Sequence, residues 1–390
     1  NIFPENWKIA KVIPLFKNKG KKNDAKNYRP VSNLITFSKI LESILETQLR
    51  KYFEDNKYIP DCQYGFRKAR GTGLALLEAT TRWKELRHQK KYIGICFYDL
   101  SAAFDCLDKT VLDEKLKTYG VQPGARKLIH HYLSNRKQVV EVDGSKSTIT
   151  TITTGSPQGS ILSPLLYLIL VSDLPLWLDP VVDTITFADD TSISVGGDSE
   201  EEVMRILERN SEKIFEYFSS NNLVANKDKT CFLFVDKTKG GRGQGTRELE
   251  MENVTVKESK AEKLLGLKID NNLDWSDHVN DTVNGINHSL FQMRKLRSKV
   301  TDEQMRIFGH GMVMSKLNYA CSAYGISYLR SDEKCQQVDT NKRLQKSQND
   351  LLRVVTKNGY KKNGKNAKIE DMLAETKYLS VTQLVAMQQI

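Results

Sequence analysis

The stretch Thr184-Ile185-Thr186-Phe187-Ala188-Asp189-Asp190-Thr191-Ser192-Ile193-Ser194-Val195 constrains this chain more than any other. Apolar and polar residues alternate on both sides of Ala188-Asp189-Asp190, the period-two pattern of two half-buried strands joined by a tight turn. Aspartate tolerates turn geometry, so a surface hairpin with two acidic turn residues satisfies the pattern. Two carboxylates on a hairpin tip also hold a divalent metal for phosphoryl transfer, provided a third carboxylate meets them from another strand. Both readings stand on this stretch alone.

A third carboxylate is available. Tyr92-Ile93-Gly94-Ile95-Cys96-Phe97-Tyr98-Asp99-Leu100 is a nearly continuous apolar run ending in an acid, the mark of a buried strand. An unpaired acid there is costly, so Asp99 calls for a positive partner, either a side chain, such as a buried Arg in a structural salt bridge, or a metal. The residues after it, Ser101 to Tyr119, read as a helix.

The rest of the chain supplies strands, turns and amphipathic helices. Trp7 to Phe16 reads as a short strand before a Lys-rich loop, and Pro30 forces Arg29 into an extended conformation. Ser38 is placed to cap a helix with Ile40, Leu41, Ile44, Leu45 and Leu49 on one face. Gln63 to Gly73 is a glycine-punctuated basic turn, either an ordinary surface loop or a close approach to phosphate. A hairpin turns at Asp143-Gly144, and a stiff loop, Thr154 to Ser160, precedes an apolar helix with Pro164 in its first turn. Glu200 to Asn222 is a helix packed on a sheet, with its Phe and Tyr residues in the core. The turn Asn226 to Thr230 leads into a buried strand, Cys231 to Val235. Gly240 to Gly245 reads as a flexible insertion, and Leu264 to Ile269 as one more strand. From Asp277 the pattern is helical and studded with cations, among them Arg294, Lys295, Arg297, Lys299, Lys342, Arg343, Lys361, Lys362 and Lys365.

Charge points to the partner class. The chain of 390 residues carries a formal charge of +11, which favours an anionic partner, most often nucleic acid. A basic helical module behind a β-rich one suits a clamp on a nucleic-acid backbone, and solvated helix faces suit the same charges. Six scattered cysteines form no Cys-x-x-Cys pair, which leads us to expect reduced thiols in the nucleus or cytoplasm. The longest apolar run, Ile161 to Leu178, is interrupted by Pro164, Asp173 and Pro175, so it reads as a core helix rather than a membrane span. The chain opens at Asn1, and an excerpt of a longer protein is the expectation.

Seven motifs in one order resemble the reverse transcriptases of non-LTR (LINE-type) retrotransposons, particularly the jockey-like insect elements. They are Asn27-Tyr28-Arg29-Pro30, Gly65-Phe66-Arg67, Tyr98-Asp99-Leu100-Ser101-Ala102-Ala103-Phe104-Asp105, Gly155-Ser156-Pro157-Gln158-Gly159-Ser160, Phe187-Ala188-Asp189-Asp190, Asn226 with Lys229-Thr230, and Leu265-Gly266. The resemblance implies an α+β right-hand polymerase. Its fingers would span 1–90, its ferredoxin-like palm of antiparallel sheet and packed helices 91–272, and its helical thumb 273–390, with part of 120–155 connecting fingers and palm.

By this resemblance Asp99, Asp189 and Asp190 hold two Mg²⁺ ions about 3.5–4 Å apart, with Mn²⁺ as a substitute and the Leu100 carbonyl as a further ligand. Phe104 lies below the sugar and excludes a ribose 2′-hydroxyl. Pro157, Gln158 and Gly159 line the nascent base pair, and Lys229 is the general acid for pyrophosphate. Leu265 and Gly266 mark the primer grip. Arg29, Lys39 and Arg67 contact triphosphate or template. The implied partners are an RNA template, a DNA primer or target and dNTPs, with no membrane, and with an endonuclease domain outside this stretch.

Three alternatives accompany this reading. A group II intron maturase shares the layout but usually carries Tyr-Ala-Asp-Asp. An RNA-dependent RNA polymerase usually carries Gly-Asp-Asp. An inactive remnant that only binds RNA need not have kept all three carboxylates.

Overall fold

A computed structural model describes residues 2–101, 103–236, 247–251, 254–325, 337–356 and 368–388. The expected insertion at Gly240 to Gly245 lies outside the described residues. No helix among the described residues is long and apolar enough to cross a membrane.

The chain begins with β1 (Ile9–Phe16) and β2 (Tyr28–Asn33), an antiparallel pair followed by helices α1 (Thr36–Asp55) and α2 (Thr72–Gln89). Strand β3 (Tyr92–Tyr98) is followed by α3 (Lys109–Thr118) and α4 (Pro123–Leu133). Next come β4 (Arg136–Val142), β5 (Ser145–Lys146) and β6 (Thr150–Ile152). Strand β4 runs parallel to β1 and pairs antiparallel with β5 and β6, so the two stretches share one sheet. Asp143 and Gly144 adopt φ of 48° and 81°, the left-handed values that a tight two-residue hairpin turn requires.

The second half of the chain completes the central sheet. Helices α5 (Ser163–Val171) and α6 (Leu174–Trp177) precede β7 (Asp183–Phe187) and β8 (Asp190–Gly197). Helix α7 (Glu200–Ser220) and β9 (Cys231–Asp236) follow. The sheet order is β7-β8-β3-β9, antiparallel throughout, as expected for an α+β fold.

Both faces of this sheet are covered. Cys96 and Tyr98 of β3 join a core with α5 and α7, while Ile93, Ile95 and Phe97 join a second core with α2 and the C-terminal helices. Gly94 lets α7 close on the sheet, since a Cβ there would lie 2.9 Å from Val203 Cγ1.

Beyond the sheet lie two small hairpins, β10 (Glu248–Met251) with β11 (Val254–Lys257) and β12 (Ala261–Leu264) with β13 (Leu267–Asp270). A helical module then runs from α8 (Ser276–Leu296) through α9 (Asp302–Gly309), α10 (Ser315–Asn318), α11 (Cys321–Gly325), α12 (Gln337–Val355) and α13 (Ile369–Thr376) to α14 (Val381–Met387).

Five local expectations are corrected. The 184–195 hairpin is not half-buried: β8 is buried from Thr191 to Val195, because its small polar side chains fit under a second covering layer. Ser192, for instance, donates to the Ile185 carbonyl at 3.1 Å. Ser38 is no cap. Helix α1 starts at Thr36, and buried Ser38 donates to Glu42 Oε1 at 2.7 Å, while Ile40 and Ile44 of the expected apolar face are exposed.

Residues 103–108 form no helix. The carbonyls of Phe104 and Leu107 accept from Ser156 and Gly155 of the 154–160 loop, and Asp108 starts α3 by accepting from Thr110 and Val111. The apolar run 161–178 splits into α5 and α6, and 261–270 makes a hairpin rather than one strand.

Candidate active site

Register places the acidic residues together. Tyr98 pairs with Thr191 and Phe187 with Asp190, so Asp99 leaves β3 beside the hairpin tip that carries Asp189 and Asp190. Asp99 is held by its backbone: its carbonyl accepts from Asn226 N at 2.8 Å, and Ser101 N donates to the Val224 carbonyl at 2.8 Å. Leu100 is buried and forms an isolated bridge to Ala225. The turn after Asn226 places Lys229 over this strand end, and Lys229 Nζ donates to Asp99 Oδ2 at 2.6 Å. The positive partner that Asp99 requires is therefore this Lys rather than a buried Arg.

Among the described residues neither turn carboxylate has such a partner, and the Asp189 charge acts on Asp190. Burial raises the Asp189 carboxyl above its ordinary value, with the Asp99 charge adding to the effect and Lys229 and Arg29 opposing it. Burial lifts Asp190 to about 6, with Asp189 and Asp99 pushing the same way. The nearby Tyr167 hydroxyl is raised by burial and by both of these charges.

Among the described residues, no group of three or more His, Cys, Asp or Glu is gathered closely enough to hold a metal ion. Asp99 is instead engaged by Lys229. The donor set still suits a hard divalent cation: three carboxylates, two of them half-buried and mutually repelling, next to a single Lys charge.

These shifts predict a stability effect. The folded protein holds the Asp190 proton more tightly than the unfolded chain does, so ionising Asp190 opposes folding. Its favourable contribution is complete below the ordinary value of 3.8 and is lost as pH rises toward about 6. Asp190→Asn is therefore expected to be more stable than the parent at pH 7.5 in chelator by about 1–2 kcal/mol, after discounting for solvent screening. Urea melts at pH 4 and 7.5 test this. A stability difference that does not widen with pH removes the electrostatic account.

The neighbouring wall comes from two segments tied together. Ser156 N donates to the Phe104 carbonyl at 2.8 Å and Gly155 N to the Leu107 carbonyl at 2.9 Å. A Cβ on Gly155, whose φ is 86°, would sit 2.7 Å from the Asp105 carbonyl oxygen, so glycine is required for this approach. Half-buried Phe104 packs edge-on to Phe66 at 6.0 Å and against Tyr167 at 5.5 Å.

Pro157 is buried, and the Gln158 carbonyl accepts from Ser32 N at 2.7 Å. Gly159, at φ 111°, lies against the Ser32 carbonyl, where a Cβ would approach to 2.8 Å. Arg29 is exposed on β2 and within electrostatic reach of Asp189; Lys39 is half-buried in the first turn of α1.

Sequence reasoning missed two residues that hold this loop. Asp105 accepts from Gln158 Nε2 at 3.0 and 3.2 Å. Glu42, fully buried, accepts from Ser160 Oγ at 2.6 Å and Ile161 N at 2.9 Å. Glu42 carried a signal: a lone acid between apolar positions of an amphipathic helix needs a buried partner.

Arg67 is a correction. Its side chain is 8% exposed and bonds both oxygens of Glu54 and the carbonyls of Pro60 and Gln63, so it staples its own loop instead of facing a ligand. Gly65 approaches the Ala188 backbone rather than a phosphate, and Gly71 and Gly73 border open space.

Leu265 and Gly266 form the tip of the β12–β13 hairpin with φ of 47° and 92°. Tyr319 of the helical module donates to the Leu265 carbonyl, and a cleft of about 660 Å³ opens beside Gly266, Lys263 and Lys316. The cations expected to form a clamp divide. Arg294, Lys295, Lys299 and Lys342 are exposed, whereas Arg297 bonds Asp302 and the Val355 carbonyl and Arg343 bonds Asn280. Lys361, Lys362 and Lys365 lie outside the described residues.

The chain is 30% identical over 285 residues to the RNA-directed DNA polymerase from mobile element jockey of Drosophila melanogaster, covering 71% of this chain and 30% of that protein. It is 27% identical over 319 residues to the probable RNA-directed DNA polymerase from transposon BS of Drosophila melanogaster, covering 78% of this chain and 34% of that one. The chain thus spans about a third of the length of these curated relatives. Among solved structures, a telomerase from Candida albicans in complex with a fragment of telomeric RNA aligns with 97% of this chain and 66% of its own, at TM-score 0.48 and 13% identity. The family profile described as reverse transcriptase (RNA-dependent DNA polymerase) matches residues 19–269, and the chain belongs to that family.

Proposed function

We propose that this chain is an RNA-directed DNA polymerase that copies retrotransposon RNA by adding deoxynucleotides to a primer 3′-hydroxyl. The observation that carries the reading is the meeting of Asp99, from the end of β3, with Asp189 and Asp190 on the β7–β8 turn, in a member of the reverse transcriptase family. Reverse transcriptases act on RNA templates and depend on divalent metal. Here Asp99, Asp189 and Asp190, with the Leu100 carbonyl, would hold two Mg²⁺, with Mn²⁺ as the substitute. Bound there, the ions would acidify the attacking hydroxyl and neutralise charge on the leaving pyrophosphate.

The chain's own groups do the rest. Lys229, whose Nζ lies 2.6 Å from Asp99 Oδ2, shields that carboxylate and would hand a proton to pyrophosphate as that product leaves. Phe104 bounds the sugar site, and the Pro157-Gln158-Gly159 backbone, anchored on Ser32, bounds the base pair. Arg29 and Lys39 supply positive charge on the side of β2 and α1. Leu265 and Gly266 would grip the primer.

In this reading, residues 1–90 with part of 120–155 are fingers, 91–272 palm and 273–390 thumb. The sheet shared by β1, β2 and β4–β6 supports the first assignment. The partners are an RNA template, a DNA primer and dNTPs, met in the nucleus or cytoplasm.

Oligo(dT)-primed synthesis on poly(rA) with Mg²⁺ tests the proposal. Extension with dTTP and its loss in chelator are the expected results. Binding of the primer-template without extension in either Mg²⁺ or Mn²⁺ would leave an RNA-binding remnant in its place.

A further inference from the structure

The acidic turn is not held by its own sequence. Phe187 pairs with Asp190, leaving Ala188 and Asp189 as the two turn residues. Ala188 takes φ 56°, in a first turn position where glycine is the usual occupant. A turn with this local mismatch needs an external hold on its backbone if Asp189 and Asp190 are to keep one direction.

The structure supplies that hold from a distant segment. Residues 62–65 lie along β7: Thr186 N donates to the Cys62 carbonyl at 2.9 Å and Tyr64 N to the Thr186 carbonyl at 2.8 Å. Gln63, only 2% exposed, then reaches the turn itself. Its Oε1 accepts from Ala188 N at 3.0 Å and from Gly65 N at 2.8 Å. Gly65 is what lets the two segments close, since a Cβ there would overlap the Ala188 amide nitrogen and lie 2.8 Å from its Cα. One buried side-chain oxygen therefore satisfies two amides, one on each side of the junction, and fixes the Phe187–Ala188 peptide that leads into the turn. Among the described residues the buried Ala188 N–H has no second acceptor, so losing the oxygen carries the full penalty of an unmade bond.

We infer that Gln63 is a positioning residue for the Asp189–Asp190 turn: it locks the Ala188 peptide and thereby aims the two carboxylates. The inference rests on the reading of that turn as the catalytic site. It acts through backbone geometry, touches no substrate, and opens the stretch Gln63 to Gly73, whose sequence reads as a glycine-punctuated basic turn.

Two variants test it. Gln63→Met keeps the length of the side chain and removes the acceptor; Gln63→Asn keeps the amide and withdraws it by one methylene. Both are expected to lower kcat for dTTP on poly(rA)–oligo(dT) by about 10- to 100-fold, the cost of a small misplacement of reacting groups, with KM changed by less than about threefold. Gln63→Glu, which still offers an oxygen to both amides, is expected to recover most of kcat at saturating Mg²⁺.

Residue-resolved amide exchange gives a readout independent of catalysis. In Gln63→Met the Ala188 amide should exchange about tenfold faster, while the Thr186 amide, held by Cys62, keeps its protection. A role in general stability would instead loosen both amides together. Asp189→Asn measured alongside separates the two ideas. If Asp189→Asn is dead while Gln63→Met and Gln63→Asn keep wild-type kcat and exchange, the positioning role is overturned and the site stands. If Asp189→Asn still extends primers, the catalytic reading falls, and exchange at Ala188 alone decides whether Gln63 holds the turn.

Discussion

Asp189→Asn is expected to reduce Mg²⁺-dependent primer extension by at least about 10³-fold, equivalent to roughly 4 kcal/mol of transition-state stabilisation, while leaving primer-template binding within about threefold. The physical case is local. Asp189 sits half-buried at the hairpin tip, where burial and the Asp99 charge already make its ionised form costly. Such a carboxylate is useful only if a strong positive charge meets it during the reaction. Asparagine keeps the shape and removes the charge; the burial cost and Asp99 repulsion it relieves outweigh the attraction to Lys229 and Arg29 that it forfeits, so the fold is expected to survive and a lost activity to report on the reaction. Extension is read by gel on poly(rA)–oligo(dT) and binding by fluorescence anisotropy. Extension within tenfold of the parent would remove Asp189 from the reaction, and with it the metal assignment.

Phe104→Val is expected to lower discrimination between dTTP and UTP by about 10²-fold, mainly by raising kcat/KM for UTP. A 2′-hydroxyl adds little volume, and a yielding apolar pocket rejects it poorly, so discrimination needs a wall that does not move. Phe104 qualifies because three contacts fix it: its ring lies against Phe66 and Tyr167, and its carbonyl accepts from Ser156 N. Valine retracts the wall and leaves the backbone bond in place. The measurement is single-nucleotide incorporation at matched concentrations of dTTP and UTP. An unchanged ratio would show that the sugar is selected elsewhere.

Much of the central sheet was legible in the sequence because its patterns are local. Period-two alternation located β7 and β8, and the apolar run ending in Asp99 located β3. The motif order pointed to the same family that the comparisons return. The errors share one cause. Ser38 looked like a helix cap and 101–108 looked helical because those signals depend on short windows, and the groups that decide the outcome answer to partners far away in the chain. Glu42, which takes Ser38 inward one turn along α1, is itself held by Ser160, 118 residues on, and the carbonyls of Phe104 and Leu107 accept from the 154–160 loop. Arg67 looked available for a ligand for the same reason; Glu54, which occupies it, is 13 residues away and carries no marker of that pairing.

By itself the sequence determined which strands carry the three carboxylates, because strand position follows from periodicity and needs no long-range information; Lys229 and Phe104 were singled out only by the order of motifs that resembles a family. Only the tertiary structure decided how the groups are aimed. Gln63, Gly65, Glu42 and Asp105 all act on segments far from their own, through hydrogen bonds that no local pattern encodes. Lys229 is another such case, since its bond to Asp99 spans 130 residues and is formed because Asn226 ties that turn to the Asp99 backbone. The identity of the acidic turn was local, and its direction was not: an alanine at φ 56° keeps its place because a buried oxygen from another part of the chain holds its amide.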